Sequence, residues 1–150
     1  MYPVFLALHN IARWAALILG IVVTVQAFSG WFGKREWSER DRKLGAYFGM
    51  TMDIQLLLGL LLFIVFSPIT RSAFQDFGAA MQVKDVAFFL VEHPFAMLLA
   101  VVFAHVGSIQ ARKAPDSPAR FKRAAIWYTL AVLLMILGMP WGRPIFPGLG

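Results

Sequence analysis

The sequence predicts an all-α integral membrane protein: a four-helix bundle forming one transmembrane domain over residues 1–150, with the N-terminus and the C-terminus on the outer (periplasmic) side. Three observations predict it. Hydrophobic residues make up 59% of the chain and charged residues only 15%, whereas an average soluble domain is about a quarter charged. Apolar runs of the length a bilayer-crossing helix needs, about 20 residues, occur four times. The basic residues gather in two of the connections between those runs, the bias that orients membrane proteins.

The first run spans about Val4 to Phe28 and is broken only by His9, Asn10, Arg13 and Gln26. The second covers about Leu44 to Phe66, with Asp53 and Gln55 inside. The third covers about Val86 to Ile109 and carries Glu92, His93 and His105. The fourth, about Ala124 to Trp141, has no charge. In lipid only helices and closed barrels satisfy their backbone groups, and no segment here alternates like a strand. Between the second and third runs, Ser72 is placed to cap a short interfacial helix over about 72–81, with Phe74, Phe77 and Met81 on one side. Pro140, Pro144 and the neighbouring glycines end the fourth helix. Trp31, Trp37, Trp127 and Trp141 fall near the expected interfaces, as aromatic belts do.

The loop from Ser29 to Lys43 holds Lys34, Arg35, Arg40, Arg42 and Lys43, and the loop from Gln110 to Arg123 holds Arg112, Lys113, Arg120, Lys122 and Arg123. The opposite side has only Arg71, Lys84 and Arg143. The two basic loops are therefore expected in the cytoplasm, in a multi-pass protein of the inner (plasma) membrane. The net charge of +6 does not point to nucleic acid, because the cations sit in short loops between apolar runs rather than along a groove. The absence of cysteine excludes disulfides, iron–sulfur clusters and thiol catalysis. No cleavable signal peptide is expected at Met1-Tyr2-Pro3, which lacks a basic leader region. No nucleotide-binding, serine-hydrolase or zinc-protease motif is present.

Ionisable residues inside membrane helices are costly and mark candidate sites. His9 and His93 lie on the first and third helices, which run in the same direction. Each is roughly 10 Å below the outer edge of its helix, at 1.5 Å per residue. Two imidazoles at one depth can share a metal centre. In an apolar, cysteine-free setting haem b is the natural candidate, since its iron takes two axial ligands and its macrocycle takes a greasy slot. Arg13, one turn from His9, is expected to pair with Glu92 or with a haem propionate. Glu92 is the candidate acceptor that orients a ligand from a neighbouring helix. Pro94 removes a helical hydrogen bond beside His93. Asp53 is the deepest charge; it reads equally as a proton relay or quinone contact and as a neutral carboxyl bonded to a partner helix near Gln55. His105, about 18 Å along the helix from His93, cannot share its iron and reads as structural before it reads as a second site. Gly45 and Gly49 suit close helix packing, and Phe88, Phe89 and Phe95 read as packing.

His9-Asn-Ile-Ala-Arg13-Trp14, Asp53-Ile-Gln55-Leu-Leu-Leu-Gly59, Val91-Glu92-His93-Pro94 and Gly138-Met139-Pro140-Trp141 together resemble a family of small bacterial four-helix membrane proteins labelled cytochrome b-like. The resemblance runs over most of the chain through short motifs. It implies haem binding, with His9 and His93 as ligands. The family pattern leads one to expect a histidine where this sequence has Asp53.

Three functions follow as expectations. One is a b-type cytochrome-like protein holding one haem near the outer leaflet, exchanging single electrons with a quinol or serving an electron-transfer complex. In this reading His9 and His93 are the metal ligands, and Arg13, Glu92 and Asp53 complete the cofactor site. The second is a haem-free accessory subunit of a larger membrane complex, pigment-bearing or homo-oligomeric. The third is a small proton or solute pathway through Asp53, Glu92 and Arg13, disfavoured by the lack of an inverted repeat.

Overall fold

The computed structural model describes residues 1–142, all in helices and their connections. Four helices are long and apolar enough to cross a membrane: α1 (Tyr2–Phe32), α2 (Glu39–Phe66), α5 (Lys84–Arg112) and α6 (Ser117–Gly138). They exceed the apolar runs because each extends into polar sequence at the end bearing the basic loops. There, real caps start the chain again. Ser38 accepts from the Asp41 N–H while the Asp41 carboxylate accepts from the Ser38 N–H, a reciprocal capping box for α2. Asp116 caps α6 through the Ala119 N–H at 2.8 Å. The fourth helix ends at Gly138, three residues short of Trp141, because Pro140 follows and Met139 is already extended.

The helices pack around a ring in the order α1–α2–α5–α6–α1, so α1 and α5 stand diagonally across the bundle. Short connections make ring neighbours antiparallel and the diagonal pair parallel. The buried positions of α1 step by threes and fours: Asn10, Arg13, Ala16, Gly20, Val23, Ala27 and Gly30. Those of α5 include Ala100, Val101, Ala104, Gly107 and Ala111, and those of α6 include Ala124, Ala125, Tyr128 and Ala131. Lipid tails are as apolar as leucine, so the contacts that hold such helices are close backbone approaches over small residues. A Cβ added at Gly20 would come 2.9 Å from Phe48 and 3.0 Å from Val132, and one at Gly30 would collide with the Phe121 ring. The large aliphatic residues face out instead, as Ile18, Val25, Ile64 and Leu137 do. Gly45 lies against Tyr128 and Ser108, and Gly49 against His105, the close packing expected of that pair.

The basic-loop end is knitted tightly. Arg35 grips Asp41 with two bonds of 2.7 and 3.0 Å and lies over the Phe121 ring at 4.8 Å. Trp37 packs on the same ring, and its N–H donates to Ser117 Oγ at 3.0 Å.

The other end is built differently, and here one expectation needs correction. No single helix runs over 72–81. The connection forms α3 (Pro68–Ala73) and α4 (Phe77–Gln82), capped by Ser67 and Asp76. Ser72 is not a cap; its hydroxyl donates back to the Pro68 and Ile69 carbonyls inside α3. Pro68 is the reason, since proline favours the first helical position and draws the start four residues upstream. Two wide turns flank this connection. The last turn of α2, Leu61–Phe66, and the segment Phe88–Glu92 of α5 are π-helical. The Ser67 N–H reaches the Leu62 carbonyl, and the His93 N–H reaches the Phe88 carbonyl, each five residues back. Pro94, without an N–H, sits immediately after the second, where the sequence predicts a lost bond.

Candidate cofactor cavity

At the end away from the basic loops the four helices enclose a cavity of about 510 Å³, within the range of roughly 300–1,000 Å³ for small-molecule and cofactor sites. Leu6, Met52, Leu56, Met97, Val101 and Met135 give it apolar walls. Ile69 and Thr70 of α3 contribute to its lining, and Thr70 is buried. Its polar groups include His9, Asn10, Arg13, Gln55, Thr70 and His93. The two π turns lie at this level. Such turns are frequent at functional sites because the extra residue per turn re-aims side chains.

His9 and His93 meet across the cavity from the diagonal pair α1 and α5. Their ring centroids are 6.2 Å apart and the planes are inclined by 78°. His93 Nδ1 is 2.7 Å from the Gly138 carbonyl oxygen. A carbonyl only accepts, so Nδ1 carries the proton and Nε2 keeps its lone pair. A metal-binding histidine has this arrangement, its second nitrogen donating to a carbonyl or carboxylate. Phe88 and Phe89 pack against the same imidazole, with centroids at 6.0 and 6.1 Å. They read as packing from sequence; they are the walls that hold His93, whereas Phe95 faces outward.

His9 is held from α2. The Gln55 amide donates to the His9 backbone carbonyl at 3.0 Å and approaches His9 Nε2 at 3.4 Å. Gly59 passes beneath the ring: a Cβ there would be 3.2 Å from His9 Cε1. Among the described residues His9 Nδ1 is buried without a hydrogen bond, as are Gln55 Oε1, Trp14 Nε1, and Arg13 Nε and Nη1. Arg13 itself is only 7% exposed, and its guanidinium carbon lies 5.4 Å from the Trp14 ring centre. A buried donor without a partner costs about 1–3 kcal/mol, and more when charged. His9, Arg13 and Gln55 thus bring unmet donors and an unmet acceptor to an apolar space.

Two further site residues stand elsewhere. Glu92 neither pairs with Arg13 nor orients a ring; its side chain is exposed and does not line the cavity. The wide turn before His93 carries it to the outer face, and the Gly138 carbonyl and Gln55 take the orienting role. Asp53 also lies outside the cavity. It is two positions before Gln55, about 200° around the helix, so the side chains point to opposite sides of α2. Its partner is His105 on α5, whose Nε2 is 2.7 Å from Asp53 Oδ1. That pair lines a separate cleft of about 220 Å³ with Trp37, Arg42, Ser108, Arg112 and Tyr128. The sequence pairs neither residue with the other. Their nominal depths on antiparallel helices differ by several residues, and only the reach of both side chains and the bare backbone at Gly49 close that gap.

Among the described residues no group of three or more histidine, cysteine or carboxylate side chains is placed to hold a metal ion. A centre in the cavity would rely on two imidazoles, with its remaining ligands brought by the group itself. Haem would bring such ligands. A metal between the rings, with bonds of about 2.0–2.1 Å to each, would set the centroids about 6 Å apart; the 6.2 Å found here is also an ordinary spacing for two packed rings. Arg13 supplies buried donors for a carboxylate, and the volume and apolar walls suit a macrocycle. Compared with known proteins, the chain matches no family model, no curated protein and no solved structure.

Proposed function

We propose that the protein is a b-type cytochrome-like membrane protein that holds one haem between His9 and His93. It would exchange single electrons with a quinol or serve as a subunit of an electron-transfer complex. The observation that carries this reading is the pair of rings 6.2 Å apart on a cavity of about 510 Å³, with His93 Nδ1 committed to a backbone carbonyl. Bound haem would supply reversible one-electron chemistry; the chain supplies ligation, burial and charge. His93 presents Nε2, fixed by Gly138. His9 is the second ligand, and the long 3.4 Å contact from Gln55 is weak enough to yield to a metal. Arg13 pairs with a propionate, which removes its unmet donors. Met52, Met97 and Met135 are adaptable apolar walls that exclude water.

The basic-loop asymmetry supports placing the cavity in the outer leaflet of the inner (plasma) membrane, with both termini outside. Electron exchange would then be with a partner at that face. The spectrum of the purified, dithionite-reduced protein tests the assignment. Soret and α bands are expected in the wild type and absent in His9→Ala and His93→Ala. A wild-type preparation that stays colourless after haem supplementation overturns it.

A further inference from the structure

The Asp53–His105 pair is a second polar feature that the haem site does not use. Its position is unusual for a membrane protein. Both side chains are about half exposed, 55% and 43%, on helices read as spanning the bilayer. Ionisable groups left exposed on spanning helices are costly and usually functional. Among the described residues the two hydrogen-bond only to each other. Asp53 Oδ2 and His105 Nδ1 therefore remain for a ligand. The cleft they line begins at Trp37, Arg42 and Arg112 on the basic-loop side and continues inward past Met50 and Ala46. Its polar lining includes two hydrogen-bonded pairs, Asp53 with His105 and Ser108 with Tyr128.

We infer that this cleft binds the head group of a membrane-dissolved quinone or hydroquinone, whose apolar tail stays in the lipid. The choice of a redox-active head group rests on the electron-carrier reading above. At about 220 Å³ the cleft is below the usual range for a complete ligand, about 300–1,000 Å³, and suits a single ring. The pair can engage either form. With a neutral imidazole, Nε2–H is committed to Asp53 and Nδ1 accepts a hydroxyl hydrogen bond. With a protonated imidazole, Nδ1–H donates to a quinone carbonyl. A lipid phosphate is the competing occupant. The Asp53 carboxylate repels it, and of the two cleft arginines Arg42 is already engaged by Glu39, which leaves Arg112 to attract it. Gly49 sets the position of the histidine: a Cβ there would come 3.3 Å from His105 Cε1 and 3.5 Å from Nδ1.

The test is photolabelling of the whole purified protein in neutral-lipid nanodiscs with an azido-benzoquinone carrying a short isoprenoid tail, followed by peptide mapping. Label is expected in peptides covering 37–53 and 105–112, displaced by excess unlabelled quinone. It should fall about tenfold in Asp53→Leu/His105→Leu, which removes both polar partners together, and severalfold in the gentler Gly49→Ala. Label confined to the His9–His93 cavity, or spread evenly over the lipid-facing surface, overturns the inference on the wild-type protein alone. So does label displaced by phosphatidylglycerol but not by quinone. The Soret band of the same samples reports the haem assignment independently: label in the cleft without a Soret band sinks the haem and keeps the quinone site, and the reverse pattern does the opposite.

Discussion

Replacing Arg13 by methionine should move stability in opposite directions with and without the bound group. Two guanidinium nitrogens, Nε and Nη1, are buried without hydrogen bonds in a side chain that is 7% exposed. At about 1–3 kcal/mol per unmet buried donor, the two together cost the empty protein about 2–6 kcal/mol. The contact with Trp14 at 5.4 Å returns about 0.5–2 kcal/mol. Methionine keeps a similar length, follows the apolar walls and needs no partner. The haem-free variant should therefore be more stable than the wild type, by up to about 5 kcal/mol, the difference between these terms. The haem-loaded variant loses a buried ion pair to a carboxylate and should bind the group at least tenfold more weakly, equivalent to about 1.4 kcal/mol or more. Denaturant titration in mixed micelles, read by tryptophan fluorescence, measures the first quantity, and haem titration measures the second. A haem-free variant less stable than the wild type by 1 kcal/mol or more would refute the reasoning, because Arg13 would then be satisfied within the protein itself.

Three other outcomes follow from the packing. Gly30→Ala drives a Cβ into the Phe121 ring, which Trp37 and Arg35 each contact at 4.8 Å. Overpacking of about 1–3 kcal/mol should exceed the helix-propensity gain of up to about 1 kcal/mol, and a double-mutant cycle with Phe121→Leu should show coupling between the two positions. Asp41→Asn removes the charge behind the Arg35 pair and part of the α2 capping box, so the same titration should show a loss of about 1–2 kcal/mol. Glu39→Gln, on the exposed surface, should leave the midpoint unchanged. Because the chain has no cysteine, single cysteines report topology cleanly: Gln75→Cys should react with an impermeant maleimide in intact cells, and Lys113→Cys should react only after lysis. The reverse pattern would invert the orientation.

The four spans were legible because apolar length and loop charge are one-dimensional properties. The His9–His93 meeting was legible for a similar reason: on parallel helices, equal depth is a statement about residue counts. Which side of a helix faces inward was harder to read. Around Asp53 and Gln55 the apolar residues are nearly continuous, so the local pattern does not say which of the two polar groups points to the centre. Gln55 was the cavity residue, and the signal lay in Gly59, one turn later on the same side, where a bare backbone admits the His9 ring. Glu92 misled because a regular helix places it toward a neighbour, whereas the π turn before His93 adds a residue and rotates it outward. The start of α3 at Pro68 was readable from proline preference alone, but Ser72 and the aromatic residues after it made an equally good local pattern.

The arrangement of small residues explains why the cavity lies at one end only. Below His9, toward the basic loops, α1, α5 and α6 bury Ala16, Gly20, Ala27, Ala100, Ala104, Gly107, Ala124 and Ala125, so backbones touch and the ring of helices closes. Toward the other end the buried or half-buried inward positions become Asn10, His9, Met52, Met97, Met135 and His93, and both π turns occur there. Wider side chains and wider turns hold the helices apart, while α3 adds lining at that end. The clamped end supplies the stability, through glycine and alanine contacts, the capping box and the Arg35–Asp41 pair. The splayed end can therefore carry unsatisfied donors that would be a defect in a closed core. A protein that needed only to span the bilayer would gain by continuing the small-residue stripe to both ends. Interrupting it at the level of two facing imidazoles is the feature that the proposed bound group would account for.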